Sequence, residues 1–155
     1  MLSDGVKIKG RATFVLYDAE MKVKDVRVAD NLVTSAGLCF IAQSLIDTAS
    51  TWVMSGMGVG TGAPAPADAN VNLETSAAYV TLGSATRSNK VLTYVATFNP
   101  GVATAALTEA VICCAASAYG DKAVGHILNR LTYAVINKAA ADTLEVTWTL
   151  TFADA

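Results

Sequence analysis

Few side chains in this sequence can do chemistry, and they do not converge. The single histidine, His126, stands in an apolar, strand-like stretch. Acid–base or nucleophilic catalysis needs a base, a nucleophile and an orienting group within reach of one another. Ser117 and Asp121 lie near His126 in sequence, but a Ser and an Asp accompany most turns, and nothing supplies the remaining roles. His126 therefore reads as a structural residue. The three cysteines are Cys39, Cys113 and Cys114. Neighbours on a strand point to opposite faces, so Cys113 and Cys114 are poorly placed to bridge each other. The C-x-x-C spacing of zinc and redox motifs is missing. Small buried hydrophobes in a reducing cell are the expectation.

Glycine is the next candidate. Gly56, Gly58, Gly60 and Gly62 fall at alternate positions, with Met57, Val59 and Thr61 between them. A phosphate-binding loop needs G-x-x-x-x-G-K-[ST], or G-x-G-x-x-G opening a helix. Here a proline-rich segment follows instead. On a strand the four glycines share one face, and a bare face admits another element closely. Metal sites need clustered Asp, Glu, His or Cys, whereas the acids here are scattered. Asp18, Glu20, Asp25 and Asp30 read as a solvated hairpin surface. Glu109 differs, because it interrupts the apolar run Leu107–Ile112. A charge there must meet solvent, a partner surface or a paired base such as Arg130. A structural or interface salt bridge is the preferred reading. No metal, no cofactor and no enzymatic activity are expected.

The elements that hold these residues are mostly strands. Thr143 to Phe152 alternates without a fault: Leu144, Val146, Trp148, Leu150 and Phe152 face one way, threonines and Glu145 the other. That is a strand with one buried and one polar face. Residues 6–17 alternate around Ala12, Phe14 and Leu16. Residues 23–28 form a second, more polar strand expected near a sheet edge. A helix over about 35–47 follows, capped by Thr34 or Ser35. Its apolar stripe is Leu38, Ile41, Ala42, Leu45 and Ile46. This helix is expected to pack across the glycine face. Residues 62–70 read as an exposed loop. Further strands are expected at 77–84, 91–98, 107–114 and 124–133. Arg87-Ser88-Asn89-Lys90, Asn99-Pro100-Gly101, Tyr119-Gly120-Asp121 and 137–142 are the turns between strands. Trp148 is expected to lie buried beside Phe98 or Leu92. The sum is mainly β: about eight closely spaced strands and one short helix, a β-sandwich or partly closed barrel. One domain over 1–155 fits the length of 155 residues.

Composition narrows the function further. Charged residues make up 15% of the chain, against roughly 25% in soluble domains. Part of the surface is therefore expected to be covered by protein. The net charge is −2, and without a Lys/Arg block no nucleic-acid partner is expected. No apolar run reaches the roughly 20 residues of a membrane span, so no membrane partner is expected. The first residues lack the apolar core of a signal peptide, and the chain is expected to stay where it is made.

Several segments carry a resemblance in their order: Asn31-Leu32-Val33-Thr34-Ser35-Ala36-Gly37-Leu38, Met57-Gly58-Val59-Gly60-Thr61-Gly62, Ala96-Thr97-Phe98, Leu107-Thr108-Glu109-Ala110, Asn137-Lys138, and Asp142 through Phe152. Together they resemble small virion structural proteins of tailed bacteriophages, of the capsid cement or decoration type. Related patterns occur in tail-fibre and baseplate proteins. The resemblance covers most of the chain, and its motifs are structural. The Cys113-Cys114 pair departs from it. It implies a jelly-roll-like sandwich, made in the host cytoplasm, that self-associates as a dimer or trimer on the capsid surface. There it would bridge neighbouring copies of the major capsid protein. A tail-fibre, baseplate or other tail-associated role is the alternative. The family brings no catalytic residues. Leu2, Val6, Val23, Val26 and Glu109 are the expected contact positions, because exposed sheet edges can add strands to a partner.

Overall fold

A computed structural model describes residues 5–46, 53–114 and 127–154. Leu2, His126 and the Tyr119-Gly120-Asp121 turn lie outside the described residues. The described chain is mainly β with a single short helix. In chain order the elements are β1 (Val6–Tyr17), β2 (Val23–Val33), α1 (Ser35–Ser44), β3 (Met54–Gly60), β4 (Ser76–Thr81), β5 (Ser84–Ser88), β6 (Val91–Phe98), β7 (Ala105–Cys114), β8 (Ile127–Lys138) and β9 (Thr143–Asp154). The nine strands form one antiparallel sheet in the order β4-β3-β7-β8-β2-β1-β9-β6-β5.

Two segments let this sheet fold back on itself. β2 pairs with β1 from Val23 to Asn31 and with β8 only at Leu32 and Val33. It leaves one half of the sheet and enters the other. The run 76–88 does the same at the far side. Its first part, β4, pairs with β3, and its second part, β5, pairs with β6. Between them Leu82 N–H donates to Ser55 O at 2.9 Å and Gly83 N–H to Val95 O at 2.8 Å. The two ends of the sheet are thus one piece of chain. This corrects the single strand expected at 77–84 and brings the strand count above the expected eight.

The half formed by β1, β9 and β6 follows the sequence pattern closely. Its register sets large side chains beside small ones in Ala12–Trp148–Tyr94, Phe14–Val146–Ala96 and Gly10–Leu150–Leu92, whereas the row Leu16–Leu144–Phe98 is large throughout. Alternating bulk lets such rows interdigitate with the facing layer. Trp148 is fully buried. Its cross-strand neighbours are Tyr94 and Ala12, not Phe98 or Leu92, which stand opposite Leu144 and Leu150. Its indole N–H donates to Asn31 Oδ1 at 2.7 Å. Gly10 makes this possible, since a Cβ there would fall 1.5 Å from that oxygen. Met57, Val59, Ala110, Ile112, Leu128 and Leu131 belong to the same core from the other half.

The helix departs from expectation in extent and in face. Thr34 is its N-cap, with Oγ1 accepting from Gly37 N–H at 3.1 Å. It ends at Ser44, so Leu45 lies beyond it. Leu38 is 52% exposed and Leu45 83%. Ile41 keeps its place, half-buried against the core with Phe40. The buried stripe is the i, i+3, i+4 set Gly37, Phe40, Ile41, rotated by one residue from the expected set. Gly37 explains the rotation: its Cβ would fall 1.9 Å from Leu128 O. The helix therefore rests on β8 through a backbone contact, not on the glycine strand.

Trp148 supports the strongest stability prediction. Trp148→Ala should cost about 3–5 kcal/mol in denaturant unfolding. Trp148→Phe keeps most of the bulk but leaves Asn31 Oδ1 without its donor, and should cost about 1–3 kcal/mol. Equal midpoints for parent and Trp148→Ala would contradict this packing.

Candidate functional site

Glu109 and Arg130 form the most concentrated polar assembly among the described residues. They stand on the outer face of the neighbouring strands β7 and β8, and both side chains are fully buried. Glu109 Oε2 accepts from Arg130 Nε at 3.0 Å and Nη2 at 2.8 Å. The rest of the carboxylate is taken by backbone. Oε1 accepts from Gly62 N–H at 2.9 Å and Thr75 N–H at 2.8 Å, and Oε2 also accepts from Glu74 N–H at 3.0 Å. Arg130 directs its other donors to Asn70 Oδ1 at 3.1 Å and Pro64 O at 3.0 Å. The expected Glu109–Arg130 bridge therefore exists, and it is structural. Glu109 has no exposed surface, which removes it from the contact positions.

What this pair holds is the segment 61–75, the proline-rich loop. It lies over the outer face of β3, β7 and β8. Beneath it Leu73, Val111, Cys113 and Ile127 make a second small core with Tyr79 against it. The loop is thus partly a lid, and Leu73 beyond its proline-rich part is buried. The glycine strand is bare to admit these groups. A Cβ on Gly58 would meet the Tyr79 ring at 2.4 Å, one on Gly60 would meet Thr75 O at 2.2 Å, and one on Gly62 would meet Glu109 Oε1 at 2.4 Å. Gly56 is buried in the same strand, paired with Thr81 and Cys113. The glycines serve close packing, as expected, but the occupant is an ion pair and a tyrosine instead of the helix.

A second polar cluster ties the loops at one end of the sheet. Lys138 Nζ donates to Asp142 O at 2.6 Å and Asn99 O at 3.1 Å. Asp142 Oδ2 accepts from Lys24 Nζ at 2.7 Å and Ala139 N–H at 2.8 Å. The hydrogen bond from Lys24, then that from Ala139, holds the Asp142 carboxyl below its ordinary value. Burial lowers the Lys138 ammonium. These residues join the β6–β7 and β8–β9 turns to the start of β2. Sequence reasoning missed them, because Lys24 alone reads as a polar strand residue and the others as solvated turn residues. It also missed Asn31, Gly10 and Tyr79, whose partners are distant in sequence.

None of these groups is placed to react. The Glu109 oxygens accept five N–H groups and meet no solvent. The Tyr79 hydroxyl donates to Asn72 Oδ1 at 2.5 Å, and burial is the main reason its pKa is pushed up to about 12. Burial likewise raises the Tyr133 hydroxyl, whose ring stacks on Phe14 with centroids 4.1 Å apart, and the Cys114 thiol. Cys113 and Cys114 are buried as expected, whereas Cys39 is exposed. No group of three or more His, Cys, Asp and Glu that could hold a metal occurs among the described residues. A depression of about 570 Å³ runs over Lys9, Arg11, Asp30 and Thr149. Its Arg11–Asp30 pair, 3.8 Å apart, is open to water and fixes little. Val6, Val23 and Val26 are exposed. No helix among the described residues is long and apolar enough to cross a membrane. Compared with protein-family models, curated proteins and solved structures, the chain finds no match.

Two outcomes follow from this geometry. Glu109→Gln leaves Arg130 buried without its counter-charge and should cost about 3–5 kcal/mol, and Glu109→Met with Arg130→Met should remain destabilising, because the Gly62, Glu74 and Thr75 N–H groups lose their acceptor. Denaturant unfolding of these variants beside the parent measures this. Asp142 sets an acid limb. Its folded pKa lies below the unfolded one, so its contribution is present above the ordinary carboxylate value of 3.8 and lost as pH falls through the folded value. The melting-temperature gap between parent and Asp142→Asn should therefore shrink as pH is lowered from neutral into that range. A gap independent of pH would contradict the assignment.

Proposed function

We propose that this chain is a non-enzymatic structural protein of a tailed-phage virion, a capsid cement protein that bridges and stabilises neighbouring major capsid subunits. The reading rests on the resemblance of its motifs and on one observation of its surface. Among the described residues, no segment lies over the outer face of β1, β9 and β6 as 61–75 lies over the other half. Thr13, Thr147 and Val95 form one cross-strand row there, and Arg11, Thr149 and Thr93 another. All but Arg11 are half-buried in the isolated chain. This face offers methyl and hydroxyl groups, interrupted by Glu145 and the exposed Arg11–Asp30 pair. Interface centres are poor in charge in the same way. The buried ionisable groups described above are occupied in holding loops, which supports a scaffold in preference to an enzyme.

In this reading the protein is made in the host cytoplasm and resides on the capsid surface. Several weak sites on adjacent shell subunits would be engaged together by a self-associated form, which gains through effective concentration. The test strips particles of the protein, adds back parent or Thr13→Lys/Thr147→Glu chain, whose opposed charges pair across the strands, and measures bound copies and particle rupture temperature. Parent chain should raise the rupture temperature. The double variant should bind fewer copies while melting like the parent in isolation. Equal particle stability with and without the protein would overturn cementing, and its presence in purified tails alone would establish the tail-associated alternative.

A further inference from the structure

We propose that two copies of this chain pair edge to edge through β2, about a two-fold axis at Val26. The proposal deepens the self-association in the function given above and rests on that part of it. β2 pairs with β1 from Val23 to Asn31 and then with β8 at Leu32 and Val33, so no part of it is laddered on both sides. From Val23 to Asp30 its second edge has no strand partner among the described residues. Val26 and Val28 are 46% and 49% exposed on this edge. β5 is also at an edge, but it is short and polar, Ser-Ala-Thr-Arg-Ser, as blunted edges are.

The backbone of Val26 shows where an incoming strand would bond. Its N–H donates to Asp25 Oδ1 at 2.9 Å, and its C=O accepts from Arg27 Nη1 at 2.9 Å. These two groups are held by flanking side chains, not by a strand. Asp25 and Arg27 also form an ion pair with each other. In an antiparallel ladder, two opposed residues of a hydrogen-bonded pair exchange both N–H···O bonds. Val26 of each copy can therefore bond Val26 of the other, releasing Asp25 and Arg27.

Charge selects the same axis. Opposed residues share a face, so the two-fold passes through a residue position. An axis at Asp25 sets Asp25 against Asp25, and one at Arg27 sets Arg27 against Arg27. Like charges directly opposed destabilise a sheet. An axis at Val28 brings Lys24 against Leu32, which β8 already occupies. The axis at Val26 sets Asp25 against Arg27 twice and Val26 against Val26. Lys24 then faces Val28, with its own charge already met by Asp142 at 2.7 Å. The partner is thus a second copy, and the released side chains meet their opposites across the seam.

The test uses the isolated full chain, so its result is separate from the particle assay. Light scattering and sedimentation should find a dimer. Asp25→Arg sets arginine against arginine across the seam and Arg27→Asp sets aspartate against aspartate, and each should raise the dimer dissociation constant at least about tenfold. Mixing the two variants sets the introduced arginine against the introduced aspartate and the retained Arg27 against the retained Asp25, and should restore a heterodimer. Opposed Cα atoms would lie about 5.5 Å apart in such a pair, within disulfide reach. In a Cys39→Ser background, Val26→Cys should cross-link on mild oxidation and Val28→Cys should not. Melting temperatures establish that each variant is folded. A monomeric parent, a trimer, or cross-linking at Val28 but not Val26 would overturn the proposal. Asp25 and Arg27 would then stand as groups that blunt the edge. A dimer that leaves particles unstabilised would overturn the cement reading alone.

Discussion

A carboxylate taken wholly out of water organises one half of this protein. An ionised group in the interior costs several kcal/mol unless it is paired and its remaining lone pairs are filled. Glu109 meets both conditions through Arg130 and the N–H groups of Gly62, Glu74 and Thr75. Those donors are backbone, so the segment 61–75 must follow one path across the sheet. That path sets Leu73 on Val111 and Ile127, and it requires glycine at 60 and 62, where any side chain would enter the carboxylate's space. The loop, the glycine strand and the small outer core are consequences of a single buried charge.

Much of this was legible in the sequence, and the failures have physical causes. The alternation of β9, β6 and β1 was visible because each strand has one face in the core, and a period of two leaves no other solution. The Glu109–Arg130 pairing was legible because a charge inside an apolar run must be answered. The helix and a cap at Thr34 or Ser35 were legible, but its orientation was not. Hydrophobic periodicity weighs side chains, and the decisive contact is Gly37 against the Leu128 carbonyl. The break at Leu82-Gly83 escaped notice because the same run of residues can pair with either half of the sheet. Lys24 and the Lys138–Asp142 turn were hidden because they meet only when the start of β2 and the distant β8–β9 turn are brought to one end.

The two halves treat their outer faces differently. On β3, β7 and β8 the outer face is partly roofed by 61–75. On β1, β9 and β6 it is left uncovered among the described residues and presents mostly threonine and valine. A chain with this little charge has few groups with which to solvate a broad sheet, and it places several of them inside. The open half is therefore where contact with another surface costs least desolvation. The cement role proposed above would draw on that asymmetry, with one side partly covered by the chain itself and the other left plain.

The position of β9 carries a kinetic consequence. The last strand described lies between β1 and β6 and pairs with β1 along twelve residues, from Val6 opposite Asp154 to Tyr17 opposite Thr143. During synthesis β1 and β2 can form a hairpin early, but the centre of their half-sheet is missing until residues 143–154 emerge. Phe14, Leu16, Tyr94 and Phe98 then have no Trp148, Leu144 or Val146 beside them. Sequence separations this long slow folding and prolong the life of partly built states with unpaired strand edges. In the crowded setting of a cell, the rate at which the final strand closes this gap governs how much chain is lost to misassociation before it is native.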